Sequence, residues 1–219
     1  IFLATTTGTS ATERVTAMVR NTIYGIAAAK ACGRSNPTVG ILNIDGARQV
    51  ERALMKLKDR GYPIEFSASL RADGGVVMRG NDLLMGAPDI MVLDSLTGNV
   101  LMKVFSAYST GGNYEALGFG YGPGVGEDYD RIICIMSRAS GAPVIAGAIR
   151  YAGDCAKGNL PAKVKAEFAL AKKAGLDEVL EQRAVAEGRR QRRRRSVGVE
   201  RLAHEVEGGV DLAAHAVVG

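Results

Sequence analysis

Asp94, Thr97, Gly98, Asn99 and Lys103 fall within ten residues, and their types suit the binding of an oxyanion. The apolar run Ile90-Met-Val-Leu93 ahead of them reads as a strand buried on both faces. Asp94 closes that strand, Thr97-Gly98-Asn99 reads as a short polar turn, and the apolar run from Val100 to Tyr108 reads as a helix. A junction of this kind directs backbone N–H groups and a helix dipole into the crevice at a sheet edge, where phosphate needs no dedicated cage. Asp94 and Lys103 would bracket that spot with opposite charge. The plainer alternative is an ordinary βα turn that Asp94 caps, with Lys103 on a solvated helix face.

Other side chains can join this chemistry. Asn43 ends a second strand-like run and either caps it or reaches the same edge. Arg71 and Arg79 flank a polar, Gly-containing segment and can grip phosphate through two N–H groups each, the alternative being surface ion pairs. Asn81 lies in the same segment, and Asp73 and Asp82 would orient the arginines. Both histidines, His204 and His215, lie near the C-terminus, so the body offers no Ser-His-Asp or Cys-His pair. Cys32, Cys134 and Cys155 are odd in number, far apart and without metal-ligand spacing. They argue against a disulfide framework, for a reducing cytoplasm, and for no metal site.

The elements that must position these residues alternate between strand and helix. Ile1–Ala4 reads as a strand end, and Thr5–Ser10 as a polar loop forming either a second anion nest or a cap. Ser10-Ala-Thr-Glu13 matches a capping box, and the following helix ends at Gly33. Thr38–Ile44 is a strand; Asp45-Gly46 leads into a helix that buries Val50, Ala53, Leu54 and Leu57 and stops at Gly61. Pro63–Phe66 begins another strand. Gly111–Gly126 reads as one long Gly-rich loop, either a closing lid or a subunit-contact arm. Arg131–Ser137 is a strand, and helices follow at Val144–Lys157, from Leu160 to near Gly175, and at about Asp177–Glu187. The pattern predicts an α/β fold, a mostly parallel sheet covered on both faces.

The 219 residues, 47% of them apolar, suffice for a sizeable core. No run approaches the roughly 18 apolar residues of a membrane span, and no signal peptide is evident. The chain opens inside an apparent strand without Met, so upstream sequence is expected. Residues 183–219 hold eight arginines against five acids, leaving the body nearly neutral. A nucleic-acid role is therefore not expected, and no aromatic residue interleaves the arginines of Arg189–Arg195. We divide the chain into an α/β domain over 1–187, incomplete at its N-terminus, and an Arg-rich tail over 188–219, disordered or divergent.

The segments Asn36-Pro-Thr-Val-Gly-Ile-Leu-Asn43, Pro88–Lys103 and Ser140-Gly-Ala-Pro143 resemble the phosphate acyltransferases of bacterial phospholipid synthesis. Thr5–Arg14, Asp45–Ala53, Arg71-Ala-Asp-Gly-Gly75, Met78-Arg-Gly-Asn-Asp82 and Gly120–Gly124 resemble more closely the alpha subunits of component C of the glycine/sarcosine/betaine reductase complex. That likeness runs from about Ile1 to Leu180. It implies a three-layer α/β/α architecture of the isocitrate/isopropylmalate dehydrogenase-like kind. It implies acetyl transfer from a protein thioester to inorganic phosphate, within an oligomeric complex with a beta subunit and the selenoprotein component A. No cofactor is implied; phosphate is a substrate. The family's acetyl-carrying cysteine is expected in a C-terminal segment that this chain does not reproduce, which leaves Cys155 the local candidate by position.

Thioester phosphorolysis requires that phosphate be held, an oxyanion stabilised and a thiolate released. A thiolate leaves readily and phosphate is already a nucleophile at neutral pH, so fixed N–H donors and cations should carry most of the effect. On this reading Thr97, Gly98, Asn99, Arg71, Arg79 and Asn81 bind phosphate or acyl group, Lys103 adds charge, and Asp94 orients. A stand-alone acyltransferase of phospholipid synthesis and a truncated, non-catalytic scaffold are the alternatives. Nicotinamide chemistry is not expected, because no Gly-x-Gly-x-x-Gly follows a strand with an acidic partner.

Overall fold

The computed structural model describes residues 1–5, 13–183 and 185. Two units are distinguished, Ile1–Leu176 and Asp177–Gly219. In the second, residues 177–183 are helical. The Arg-rich tail, both histidines and most of the Thr5–Ser10 loop lie outside the described residues.

The first unit is built on a parallel sheet. Its strands are β1 (Phe2–Ala4), β2 (Thr38–Leu42), β3 (Glu65–Phe66), β4 (Val77–Met78) and β5 (Ile90–Val92). β5 lies between β1 and β2, with Ala4 opposite Val92 and Ile41 opposite Val92. β3 and β4 share the other side of β2, β3 beside Thr38–Val39 and β4 beside Ile41–Leu42. Each pairing is parallel, so these strands point their carboxyl ends the same way.

Helix α1 (Arg14–Ala31) follows β1 and packs on one sheet face. Met18, Val19, Ile23 and Ile26 are buried along it, each contributing about 1.5–3 kcal/mol relative to exposure. Its N-cap is Glu13, whose carboxylate accepts the Val15 and Thr16 N–H groups at 2.9 and 2.7 Å, rather than the Ser10 that the sequence suggests. Helix α2 (Ala47–Asp59) buries Val50, Ala53, Leu54 and Leu57 as its spacing predicts. Gly61 ends it at φ 94°, a left-handed conformation in which a Cβ would be strained. Helix α3 (Gly80–Leu84) is short, and helix α4 (Ser95–Thr110) follows β5. On the second face Met78, Met91 and Leu93 form a cluster against which Leu42, Leu83 and Leu101 of α4 pack.

The chain beyond α4 departs from the sequence reading. Gly111–Gly126 is not one loop: its end forms strand β6 (Tyr121–Gly126), paired antiparallel with β7 (Tyr129–Ile135). This ribbon forms its own two-stranded sheet, so the strand read at Arg131–Ser137 does not extend the parallel sheet. Helices α5 (Ala142–Lys157) and α6 (Leu160–Lys173) come next. α6 packs on α1, with the Phe168 and Tyr24 rings 4.6 Å apart and tilted by 50°. There Glu167, buried, takes the Lys30 ammonium at 2.5 Å and the Tyr62 hydroxyl at 3.0 Å.

Candidate functional site

The parallel register brings four chain segments to one carboxyl edge. Thr5 follows β1, Asn43 follows β2, Arg79 follows β4 and Asp94 follows β5. The Asn43 N–H donates to the Met78 carbonyl at 2.7 Å, placing Asn43 beside Arg79. The Thr5 hydroxyl donates to the Asp94 carbonyl at 2.8 Å and ties the outer strand to the start of α4.

Asp94 is the N-cap of α4. One carboxylate oxygen accepts the Thr97 N–H at 2.9 Å and the other accepts the Thr97 hydroxyl at 2.9 Å, while the Gly98 N–H donates to the Asp94 carbonyl at 3.0 Å. The helix thus starts at Ser95, and Thr97-Gly98-Asn99 is its first turn rather than a loop ahead of it. The Thr97 and Gly98 amides serve the helix itself. The N–H groups of Ser95 and Leu96 lie ahead of the first intrahelical bond and point outward at the positive end of the dipole. The Asn43, Arg79 and Asn99 side chains are exposed. Arg14, at the start of α1, is held by a 3.0 Å ion pair with Asp45, just past β2. The sequence signal for Arg14 was weak, a charged residue at a helix start. This edge offers a small anion a helix N-terminus, the Asn43 and Asn99 side-chain amides and the Arg79 guanidinium.

Arg71 and Lys103 are committed elsewhere. The Arg71 guanidinium pairs with Asp73 at 2.9 Å and reaches the Val77 carbonyl at 3.4 Å. Asp82 is buried, which opposes its ionisation. The Arg79 and Leu70 N–H groups, at 2.8 and 2.6 Å, and the Ser69 hydroxyl nevertheless hold its carboxyl below the usual carboxylate range. Asp82 thus fixes the backbone around Arg79 at the start of α3, where Asn81 is exposed.

Lys103 does not bracket the crevice with Asp94. It sits eight residues beyond Ser95, about 12 Å up the helix. There it forms an ion pair with Glu115 and donates to the Tyr121 hydroxyl at 2.6 Å. Glu115, buried, also accepts the hydroxyls of Tyr121, Ser137 and Ser140 at 2.7, 2.9 and 3.0 Å. Sequence reasoning passed over this residue, although it is the lone charged side chain of Gly111–Gly126.

Cys155 lies on α5 with no exposed surface, and burial pushes its thiol up to about 12, so it is almost wholly protonated at neutral pH. The Cys32 thiol lies beside it. Cys32 follows the last residue of α1, whereas the sheet's carboxyl edge adjoins that helix's first residue, and eighteen helical residues span about 27 Å. Cys155, the acyl-carrier candidate by position, is thus buried and stands at the far end of α1 from that edge.

A parallel α/β sheet with polar side chains at its carboxyl edge is the arrangement in which α/β proteins commonly bind ligands at strand ends. The chain belongs to the family described as "Fatty acid synthesis protein", whose model matches residues 1–208. It is 66% identical over 180 residues to the glycine/sarcosine/betaine reductase complex component C subunit alpha of Peptoclostridium acidaminophilum, covering 82% of this chain and 47% of that relative. It is 34% identical over 86 residues to the phosphate acyltransferase of Thermosipho africanus, covering 37% of this chain and 24% of that protein. Over 73 residues it is 40% identical to the phosphate acyltransferase of Acetivibrio thermocellus, covering 33% and 20%. The chain spans about half the length of the first of these curated relatives. No solved structure matches it.

Proposed function

We propose that this chain is the phosphate-binding part of an acyltransferase subunit that moves an acetyl group from a protein thioester to inorganic phosphate, within a glycine/sarcosine/betaine reductase complex. The observation that carries this reading is the convergence of Asn43, Arg79 and the Asp94-capped start of α4 on one sheet edge. The likeness to the component C alpha subunit supports the complex, and the phosphate acyltransferases support the acceptor.

In the proposed step a phosphate oxygen attacks the thioester carbonyl carbon. A C–O bond forms, the C–S bond breaks, and the thiolate leaves with its electron pair. Arg79 and the Ser95 and Leu96 N–H groups hold the phosphate, and the exposed Asn43 and Asn99 amides face the developing oxyanion. Asp94 acts by fixing the first turn of α4. With Cys155 buried, the acetyl thiol is supplied from outside the described residues or by a partner, the beta subunit and the selenoprotein component A being the proposed neighbours.

The test is acetyl phosphate formation, trapped as the hydroxamate, from an acetyl thioester and phosphate with the complex assembled. Arg79→Ala should raise the KM for phosphate by roughly tenfold or more, the loss of one charge-assisted contact. Absence of product from the assembled complex overturns the proposal. The family's description favours a second reading, a stand-alone phosphate acyltransferase of lipid synthesis; preference for long-chain over acetyl thioesters would select it.

A further inference from the structure

Cys32 and Cys155 are far apart in the sequence and meet in the fold. Helices α1 and α5 end side by side: a methyl group on Gly158, just past α5, would overlap the Ala31 carbonyl at the end of α1. Cys32 is the residue after Ala31, and Cys155 lies three residues, about 4.5 Å of helix, before Gly158. Their thiols lie beside each other. Cys134, on β7, is the more remote neighbour and acts on Cys155 through charge alone. Both backbones are fixed, since the Cys32 N–H donates to the Ala28 carbonyl at 3.0 Å and Cys155 lies in the last turn of α5. The two sulfurs are therefore held at high effective concentration.

The thiols differ in access. Cys155 has no exposed surface, and Tyr151, one turn back on α5, lies beside it. Cys32 is partly exposed. A reagent from solvent reaches Cys32 and not Cys155.

We propose that Cys32 and Cys155 form a thiol–disulfide pair, in which Cys32 takes up a small-molecule disulfide and Cys155 resolves the adduct into a bond that ties α1 to α5. The Cys32 thiolate attacks one sulfur of the incoming disulfide. A mixed S–S bond forms, the original S–S bond breaks, and one thiolate leaves with the electron pair and takes up a proton. Cys155 then attacks the Cys32 sulfur and passes its proton to the second departing thiolate. Two protein thiols are oxidised, and one disulfide is reduced to two thiols. Burial raises the Cys32 thiol, so little of it is ionised at neutral pH. The exchange is slow: a reducing poise or a brief oxidant leaves the pair open, and a sustained oxidant closes it. Once closed, the bond spans about 120 residues, a loop long enough to restrict the unfolded chain strongly. The pair lies at the far end of α1 from the sheet's carboxyl edge, so its chemistry is independent of the acyl-transfer reading.

The test is incubation of the reduced 219-residue chain with millimolar glutathione disulfide at about pH 8.5, near the ordinary thiol value, then acid quenching and non-reducing peptide mass spectrometry. A Cys32–Cys155 cross-link is expected. It should raise the melting temperature by roughly 5–15 °C, and dithiothreitol should reverse the rise. Cys134→Ala should behave as the wild type. Cys155→Ser should stop at a glutathione adduct on Cys32, and Cys32→Ser should leave Cys155 unmodified. Circular dichroism melts report whether each variant folds, and the wild-type chain decides the matter where one does not. A bond through Cys134, a Cys32 adduct that persists in the wild type, two free thiols after prolonged exposure, or a cross-link that leaves the melt unchanged each overturns the proposal.

Discussion

A methyl group on Gly98 would fall 2.5 to 2.8 Å from the Thr5 side chain. The first turn of α4 and the end of β1 therefore touch at a point where only glycine fits. Gly98→Ala should lower stability by about 1–3 kcal/mol through overpacking, read as an earlier denaturant midpoint with unchanged slope. Adding Thr5→Ala should restore part of the loss. Full stability in Gly98→Ala would contradict the contact.

Asp94 supplies both side-chain bonds to Thr97. Asp94→Ala should cost about 0.5–2 kcal/mol, whereas Asp94→Asn, an equally good cap, should cost only a few tenths. Urea titration of the two variants separates them, and equal losses would mean that capping is not what Asp94 does.

Glu115 joins α4, the segment after it and the turn at Ser137–Ser140 through four partners. Glu115→Ala strands the Tyr121, Ser137 and Ser140 hydroxyls. A loss of about 1–3 kcal/mol is expected, kept below the value for a fully buried ion pair because Lys103 is nearly half exposed. Amide exchange should rise in residues 111–140 and not in α1. Uniform exchange across both would argue against this local role.

The Asp89 carboxyl is held below the usual range, chiefly by the Thr38 N–H at 2.9 Å and also by the Thr38 hydroxyl at 3.0 Å. A carboxylate more acidic in the folded than in the unfolded chain binds fewer protons when folded. Its stabilisation is complete above the unfolded value, about 3.9, and is lost as pH falls through the folded one. Asp89→Asn should flatten the stability profile below about pH 4. An unchanged acid limb would rule out this linkage.

Cys155 should resist alkylation by iodoacetamide at neutral pH in the native chain and react on unfolding, given its burial and a thiol pushed up to about 12. Peptide mass spectrometry reads both states. An acetyl adduct on Cys155 after turnover would make Cys155 the acyl carrier.

The sequence made the parallel half of the fold legible because local chemistry and packing agree there. α2 alternates buried and exposed residues at helical spacing and stops at Gly61, as its pattern requires. The start of α4 was misread because Thr, Gly and Asn are weak helix formers. The Asp94 cap and the Thr5 contact override that preference. The β6–β7 ribbon was hidden because Tyr121–Gly126 contains three glycines and a proline, residues depleted in strands. Of the candidate site, the grouping of Asn43, Arg79 and Asp94 depends on strand register, and strand ends could be read one at a time but not their neighbours. Lys103 was misplaced for a related reason. Its partners Glu115 and Tyr121 come from a segment whose glycines gave no period to follow.

The pairing of β1 with β5 has a consequence for biosynthesis. Phe2 and Ile90 lie side by side, though eighty-eight peptide bonds separate them. The first strand leaves the ribosome long before its neighbour exists, so its apolar residues must wait while some ninety codons are read. Closing so large a loop is entropically slow, and of the strand ends carrying Thr5, Asn43, Arg79 and Asp94, the one at Asp94 is the last to be synthesised.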